Sequence, residues 1–355
     1  MSNTYKINCL EYSECPKEIK SAQPQKIDSN NFLFLFVGCW GVYCKSGESE
    51  ISKFKKGKWK QEKVTYGEGY VVQAMTEFTT KNKNTYSIIL AGDNVYSTGE
   101  KDSQIEENPK LSYDMDLQIS RGFENCMKNI PNIKDFLIGV GNHDIETCDV
   151  LNKQLNYQGW TMPGLSYTYK YQMKDFEINY IFIDTNMYEN KWCKPNSTYP
   201  PNAIQEQYEW FGQVLDPRPN VWNIVVGHIP FLCNPHKMIE DDEGNKYIGI
   251  RAVPQLQRLM TDYNSQIDLY MCADEHQQQY LTLPNLPPQV IAGSGGAILD
   301  PVLMNETLKP YTHVLRSTFG FVSNVVTRDK IAITFHSVIP EQYPDKTVIV
   351  SSNKN

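Results

Sequence analysis

Short apolar runs that stop abruptly at a glycine or a polar residue recur along this chain. Tyr86–Ala91 has isoleucine and leucine at its centre and no charge, the signature of a strand buried on both faces, as in parallel sheets. It ends at Gly92, and Asp93, Asn94 and Tyr96 follow. Phe32–Val37 empties into Gly38-Cys39-Trp40-Gly41, and Phe136–Val140 into Gly141-Asn142-His143-Asp144. Val221–Val226 delivers Gly227-His228, and Ile267–Cys272 delivers Ala273-Asp274-Glu275-His276.

Between the first two runs, Val64, Val71, Val72, Met75 and Phe78 carry a helical spacing and predict a helix over 64–80. A strand-helix-strand unit implies parallel pairing. Further helices are expected over Leu117–Lys128, Asn202–Leu215 and Val253–Tyr263. The middle changes character: Tyr167–Tyr171 alternates, and with Ile178–Ile183 it reads as an antiparallel pair ending at Asp184-Thr185. Short strands follow at Gln289–Ala292, Gly320–Val326 and Ile331–Ser337. The lysine-rich stretch Lys53–Lys63 reads as a solvated edge or hairpin, and the polar, acidic residues 97–113 as a long loop. Residues 1–30 read as an N-terminal arm or an extra edge element; with no repeat or linker beyond them, 31–355 is expected to be one domain.

Hydrophobic residues at 40% and charged residues at 21% are the composition of a soluble globular protein. A net charge of −7 gives no reason to expect specific nucleic-acid binding. No apolar run approaches the roughly 20 residues of a membrane-spanning helix, and the N-terminus lacks the apolar centre of a signal peptide. With nine cysteines in no framework spacing, the expectation is an intracellular, reducing compartment, cytoplasmic or otherwise. Cys193 and Cys233 are the pair expected to join were the surroundings oxidising. The sequons at Asn196 and Asn305 read as chance. Oligomeric state is open at this stage.

Four strands thus end in metal-ligand residue types: Asp93 with Tyr96, Asn142 with His143, His228, and Asp274 with His276; a fifth ends in Cys39. Four of the six histidines (143, 228, 236 and 276) lie on these loops or near them. Oxygen donors mixed with imidazole suit iron, zinc or manganese, and a central carboxylate can bridge two ions placed for displacement at phosphorus.

These five ordered blocks resemble those of the metallophosphoesterase superfamily. The tyrosine in Gly92-Asp93-Asn94-Val95-Tyr96 is similar to the purple acid phosphatase branch, in its small tartrate-resistant type. Phe182-Ile183-Asp184-Thr185 and the Gly293-Ser294-Gly295-Gly296 turn extend the likeness. The resemblance implies an α/β fold, a four-layer α-β-β-α sandwich with two mixed sheets. It implies hydrolysis of phosphate esters by water activated at two metal ions, iron paired with iron, zinc or manganese. Position by position, Asp93 is the expected bridge. Cys39, Tyr96 and His276 are expected at the first ion, and Asn142, His228 and Asp274 at the second. His143 and Asn142 are expected to contact substrate phosphate, and His143 and His236 to serve as catalytic groups. Two positions depart from the family: Cys39 stands where it has aspartate, and Asp274 where it has histidine. The departures raise an alternative, a catalytically impaired scaffold or binding protein on the same fold.

Overall fold

Phe32–Val37, six apolar residues all buried, is an inner strand of a six-stranded sheet. In this computed structural model residues 24–352 are described, apart from 43, 45, 56–57, 97–118, 190–198 and 241–243. The strand order of that sheet is Lys346–Ser351, Lys330–Ser337, Gly320–Val326, Phe32–Val37, Thr85–Ala91, Asp135–Gly139. Its last three strands run parallel, with Leu35 opposite Ile88 and Ile88 opposite Phe136; the rest pair antiparallel. A second sheet of eight strands runs Gln25–Lys26, Tyr167–Gln172, Glu177–Phe182, Val221–Val226, Leu269–Cys272, Gln289–Ala292, Gln278–Leu281, Thr312–Arg316. It too is mixed: Glu177–Phe182, Val221–Val226 and Leu269–Cys272 are mutually parallel, while Tyr167–Gln172 pairs antiparallel with Glu177–Phe182.

Alternate side chains of the central strands point to opposite faces and so sort into separate cores. Phe34, Phe36, Ile89 and Ala91 from one sheet meet Tyr180, Phe182, Ile224, Val226 and Met271 from the other. The opposite face of the first sheet, Leu35, Val37, Ile88 and Leu90, packs on helices Glu68–Lys81 and Cys148–Asn156 through Val71, Met75, Val150 and Leu151. The opposite face of the second, Ile181, Val225 and Tyr270, packs on helices Ala203–Val214 and Pro254–Asp262 through Phe211, Leu256 and Leu259. The layers are therefore helix, sheet, sheet, helix, the expected four-layer sandwich.

Three expectations are corrected. The first helix begins at Glu68, not at 64, because Val64 belongs to a hairpin strand, Lys58–Tyr66, paired with Gly47–Lys55. The basic stretch Lys53–Lys63 lies in that hairpin. Residues 119–129 are not one regular α-helix but a single wide turn, Ile119–Glu124, followed by a tight turn, Met127–Asn129. Nor are the cysteines all free: Cys44 is disulfide-bonded to Cys126, and Cys148 is also disulfide-bonded. Cys233 is a buried free thiol, so it does not pair with Cys193, which lies outside the described residues. Disulfides persist in oxidising compartments, which runs against the reducing compartment read from the sequence. No described helix is long and apolar enough to cross a membrane.

The loop 97–113, residues 1–23 of the arm, and Asn196 also lie outside the described residues. Asn305 is nearly buried, with its amide donated to the carbonyls of Ile248 and Gly249 at 2.8 and 3.0 Å.

Candidate metal centre

The parallel strands of both sheets end at one edge, where His228 Nδ1 meets the Ala91 carbonyl at 2.7 Å and ties the two sheets together. Three residues just beyond those strands adopt the left-handed backbone: Cys39 at φ 54°, Asp93 at φ 53° and Asp274 at φ 63°. That region is unfavourable for residues with a Cβ and is held only where surroundings enforce it. Here Cys39 N donates to Gly92 O at 3.0 Å, Gly41 N to Asp93 O at 3.1 Å, and Ala273 N to His228 O at 2.8 Å. Buried Asp144 accepts from Gly141 N at 2.7 Å and Asn94 N at 2.9 Å, fastening two of the loops to each other. Burial, then the Asp93 charge, pushes its carboxyl up to about 7. Asn94 links a third loop, accepting from Trp40 Nε1 at 3.0 Å.

Ligand atoms of Cys39, Asp93 and His276 all lie within 4.8 Å of one another. The Tyr96 hydroxyl is 3.3 Å from His276 Nε2 and also hydrogen-bonds with Cys39 and Asp93. His276 Nδ1 donates to the Ile298 carbonyl at 2.7 Å, which fixes the tautomer and leaves Nε2 as the lone pair facing this set. Burial, then Asp93 and Asp274, pushes the Cys39 thiol well above its ordinary value; burial, then Cys39 and Asp93, does the same to the Tyr96 phenol. A bound cation reverses that balance by favouring thiolate and phenolate. Four anionic or imidazole donors packed this closely fit one metal ion.

Around His228 the picture differs. Its Nε2 is 3.2 Å from Asn142 Oδ1, 3.3 Å from Asp93 Oδ1 and 3.6 Å from Asp274 Oδ1. Burial works against the imidazolium, but Asp93 and then Asp274 outweigh it and raise His228 to about 9. Burial likewise pushes Asp93 up, yet His228 and His143 hold it far below the usual carboxylate range. Asp274 turns its other oxygen to Arg251 Nη1. The same Nη1 is 2.5 Å from Glu275 Oε1, and Nη2 is 3.1 Å from Glu189 Oε1.

His143, Asp93, Arg251, Asp274, His276 and His236 face a common cleft of about 530 Å³. His143 Nδ1 meets Glu146 Oε1 at 2.7 Å; burial lowers its pKa, but Asp93 and Glu146 raise it to about 9. His236 Nδ1 lies 3.0 Å from both Glu275 oxygens, and that hydrogen bond raises its pKa. All nine residues singled out in the sequence therefore come to this edge, His236 among them on the cleft wall. Sequence reasoning missed Arg251, Glu275, Glu189 and Glu146. The strand-exit pattern carries no signal for Arg251 or Glu189, whereas Glu275 and Glu146 sit inside or next to blocks already quoted.

Residues 32–278 match the calcineurin-like phosphoesterase family, and the chain belongs to it. Proteins of this family bind two metal ions. Within the family the likeness is to the purple acid phosphatase branch. The chain is 22% identical to purple acid phosphatase 4 of Arabidopsis thaliana over 331 residues, covering 90% of this chain and 84% of that protein. In fold it is similar to the solved structure of GAP50, the anchor in the inner membrane complex of Plasmodium, at 19% identity and a TM-score of 0.60, covering 92% of this chain and 90% of that one. It is also similar to the purple acid phosphatase PPD1 of yellow lupin, at 15% identity and a TM-score of 0.54, covering 93% of this chain and 55% of that one.

Proposed function

We propose that the chain is a metal-dependent hydrolase of phosphate esters. The observation that carries this reading is the convergence of Cys39, Asp93, Tyr96 and His276 from three strand ends into one ion-sized donor set beside an open cleft. Those four residues would hold the ion, with Asp93 also reaching His228, which in turn meets Asn142. When bound, such an ion makes hydroxide available near neutral pH and draws charge from phosphoryl oxygens. The chain's own residues do the rest. His143, kept protonated by Asp93 and Glu146, offers a cation to the phosphate in the cleft, and Asn142, whose Oδ1 meets His228, would offer its amide as a further donor. His236, oriented by Glu275, is placed on the cleft wall to return a proton to the leaving oxygen.

The test is turnover of an aryl phosphate together with metal content by elemental mass spectrometry. Asp93→Asn is expected to lose the metal and to lower kcat at least about a hundredfold. Turnover unchanged by that substitution would overturn the reading. A second reading, a scaffold without turnover, draws support from the Arg251–Asp274 pair and from the likeness to GAP50. It predicts no hydrolysis with any divalent metal, and a gain in metal affinity when Cys39→Asp is combined with Asp274→His.

A further inference from the structure

The second half of the centre is short of cation-binding capacity in a specific way. Among the described residues, two trios drawn from histidine, cysteine, aspartate and glutamate bring ligand atoms within 4.8 Å of one another: Cys39–Asp93–His276, and His236–Glu275–Asp300. Neither contains His228 or Asp274. Asn142 Oδ1, Asp93 and Asp274 each approach His228 Nε2, at 3.2, 3.3 and 3.6 Å, but the charged or imidazole donors among them, Asp93, Asp274 and His228, do not close into a set of that compactness. Ligands opposite each other on an ion with bonds of about 2.1 Å are about 4.2 Å apart, so a wider set leaves at least one of them off the ion. The guanidinium of Arg251 meanwhile lies against Asp274, Glu275 and Glu189 at once. Its side chain is 21% exposed, and it lines the same cleft as Asp93 and His276.

We propose that Arg251 supplies the positive charge on the Asp274 side of this centre, so that the chain is built for one metal ion rather than two. Asp274 is then the counter-ion of Arg251 and not a ligand, and the ion sits with Cys39, Asp93, Tyr96 and His276. Arginine suits this role because its guanidinium stays charged at any working pH and offers several donors in a fixed plane. Nη1 lies between Asp274 and Glu275 while Nη2 meets Glu189, the Asp274 contact being an ion pair without a hydrogen bond. Unlike an exchangeable ion, it cannot be stripped by a chelator. Three carboxylates converging without it would leave a strongly negative pocket wall that draws in a cation. The proposal deepens the metal-dependent reading above and rests on it.

The test is a zinc titration of the full chain, stripped with chelator, followed by calorimetry, with elemental mass spectrometry of the dialysed product. One ion per chain is expected. His276→Ala should weaken it by more than about a hundredfold, and Asp274→Asn should change its affinity by less than about threefold. Arg251→Gln should raise the stoichiometry from one to two. Circular dichroism of each variant confirms the fold, and Asp274→Asn gives an independent answer if Arg251→Gln does not fold. Two ions per wild-type chain would overturn the proposal while leaving the phosphoesterase reading standing. A single ion lost with Asp274→Asn but kept in His276→Ala would also overturn it. No ion at any zinc concentration would remove the metal-dependent reading itself, and this proposal with it.

Discussion

At the scale of single residues, the edge of the sheets is crowded to a degree that dictates side-chain identity. Gly92 has φ +88°, and a Cβ placed there would lie 2.6 Å from both Gly141 N and His228 Nδ1. Gly92→Ala is therefore expected to cost about 2 kcal/mol or more and to push His228 off the Ala91 carbonyl. Chemical denaturation measures the first effect; a nuclear magnetic resonance titration of the His228 imidazole, with a pKa falling from its raised position, checks the second. The candidate ligands were legible because each is among the first polar side chains after a buried run, where a sheet must deliver something to its edge. Arg251 was not, since its partners Glu189, Asp274 and Glu275 come from two distant segments and no local pattern couples them. The departures at Cys39 and Asp274 were visible as residue types, but their left-handed backbone was not.

At the scale of elements, the helix Glu68–Lys81 couples the pH of the medium to the loop after the first strand. Glu68, its first residue, is wholly buried and accepts from Val42 N at 3.0 Å and Cys44 N at 2.6 Å. Burial pushes its carboxyl from 4.5 up to about 8, against the pull of those two amides. The folded chain thus keeps a proton that the unfolded chain has released above pH 4.5. Its contribution to stability is full below that pH, falls as pH rises toward 8, and levels off above. Glu68→Gln keeps an acceptor oxygen but cannot ionise. Its melting temperature should match wild type near pH 4.5 and exceed it at pH 8.5, by a free energy on the order of a few kcal/mol; a wild-type advantage at pH 8.5 would refute this. The strands themselves were plain in the sequence, because runs such as Phe32–Val37 are apolar on both faces. A hairpin is one of the two readings of Lys53–Lys63, but its reach over Val64 was hidden, since a single valine fits helical spacing as well as it fits a strand. The strand Gln278–Leu281, with two glutamines at its start, carries too little apolar signal to stand out; Lys346–Ser351 was missed although Val348, Ile349 and Val350 carry one.

At the scale of the whole molecule, two sheets share one apolar interior, and the covalent closure lies outside it. The Cys44–Cys126 disulfide spans 82 residues, joining the loop after the first strand to the segment after the wide turn. The enclosed stretch contains the hairpin, the Glu68–Lys81 helix, the Thr85–Ala91 strand, and Asp93 with Tyr96. The four-layer order could be anticipated from the family resemblance of the strand-exit blocks; this link could not, because nine scattered cysteines fix no pairing. Closing a loop of that length removes unfolded-state entropy worth about 4–5 kcal/mol at 25 °C in the chain-entropy model, an upper figure where the unfolded chain keeps structure. The Cys44→Ser/Cys126→Ser double variant is expected to unfold at markedly lower denaturant, and wild type under reductant should shift with it. The two curves should then nearly coincide, leaving only the contribution of the other bridged cysteine, Cys148. A wild-type curve unmoved by reductant, with free-thiol labelling proving both bonds open, would mean that the sandwich core alone sets the stability.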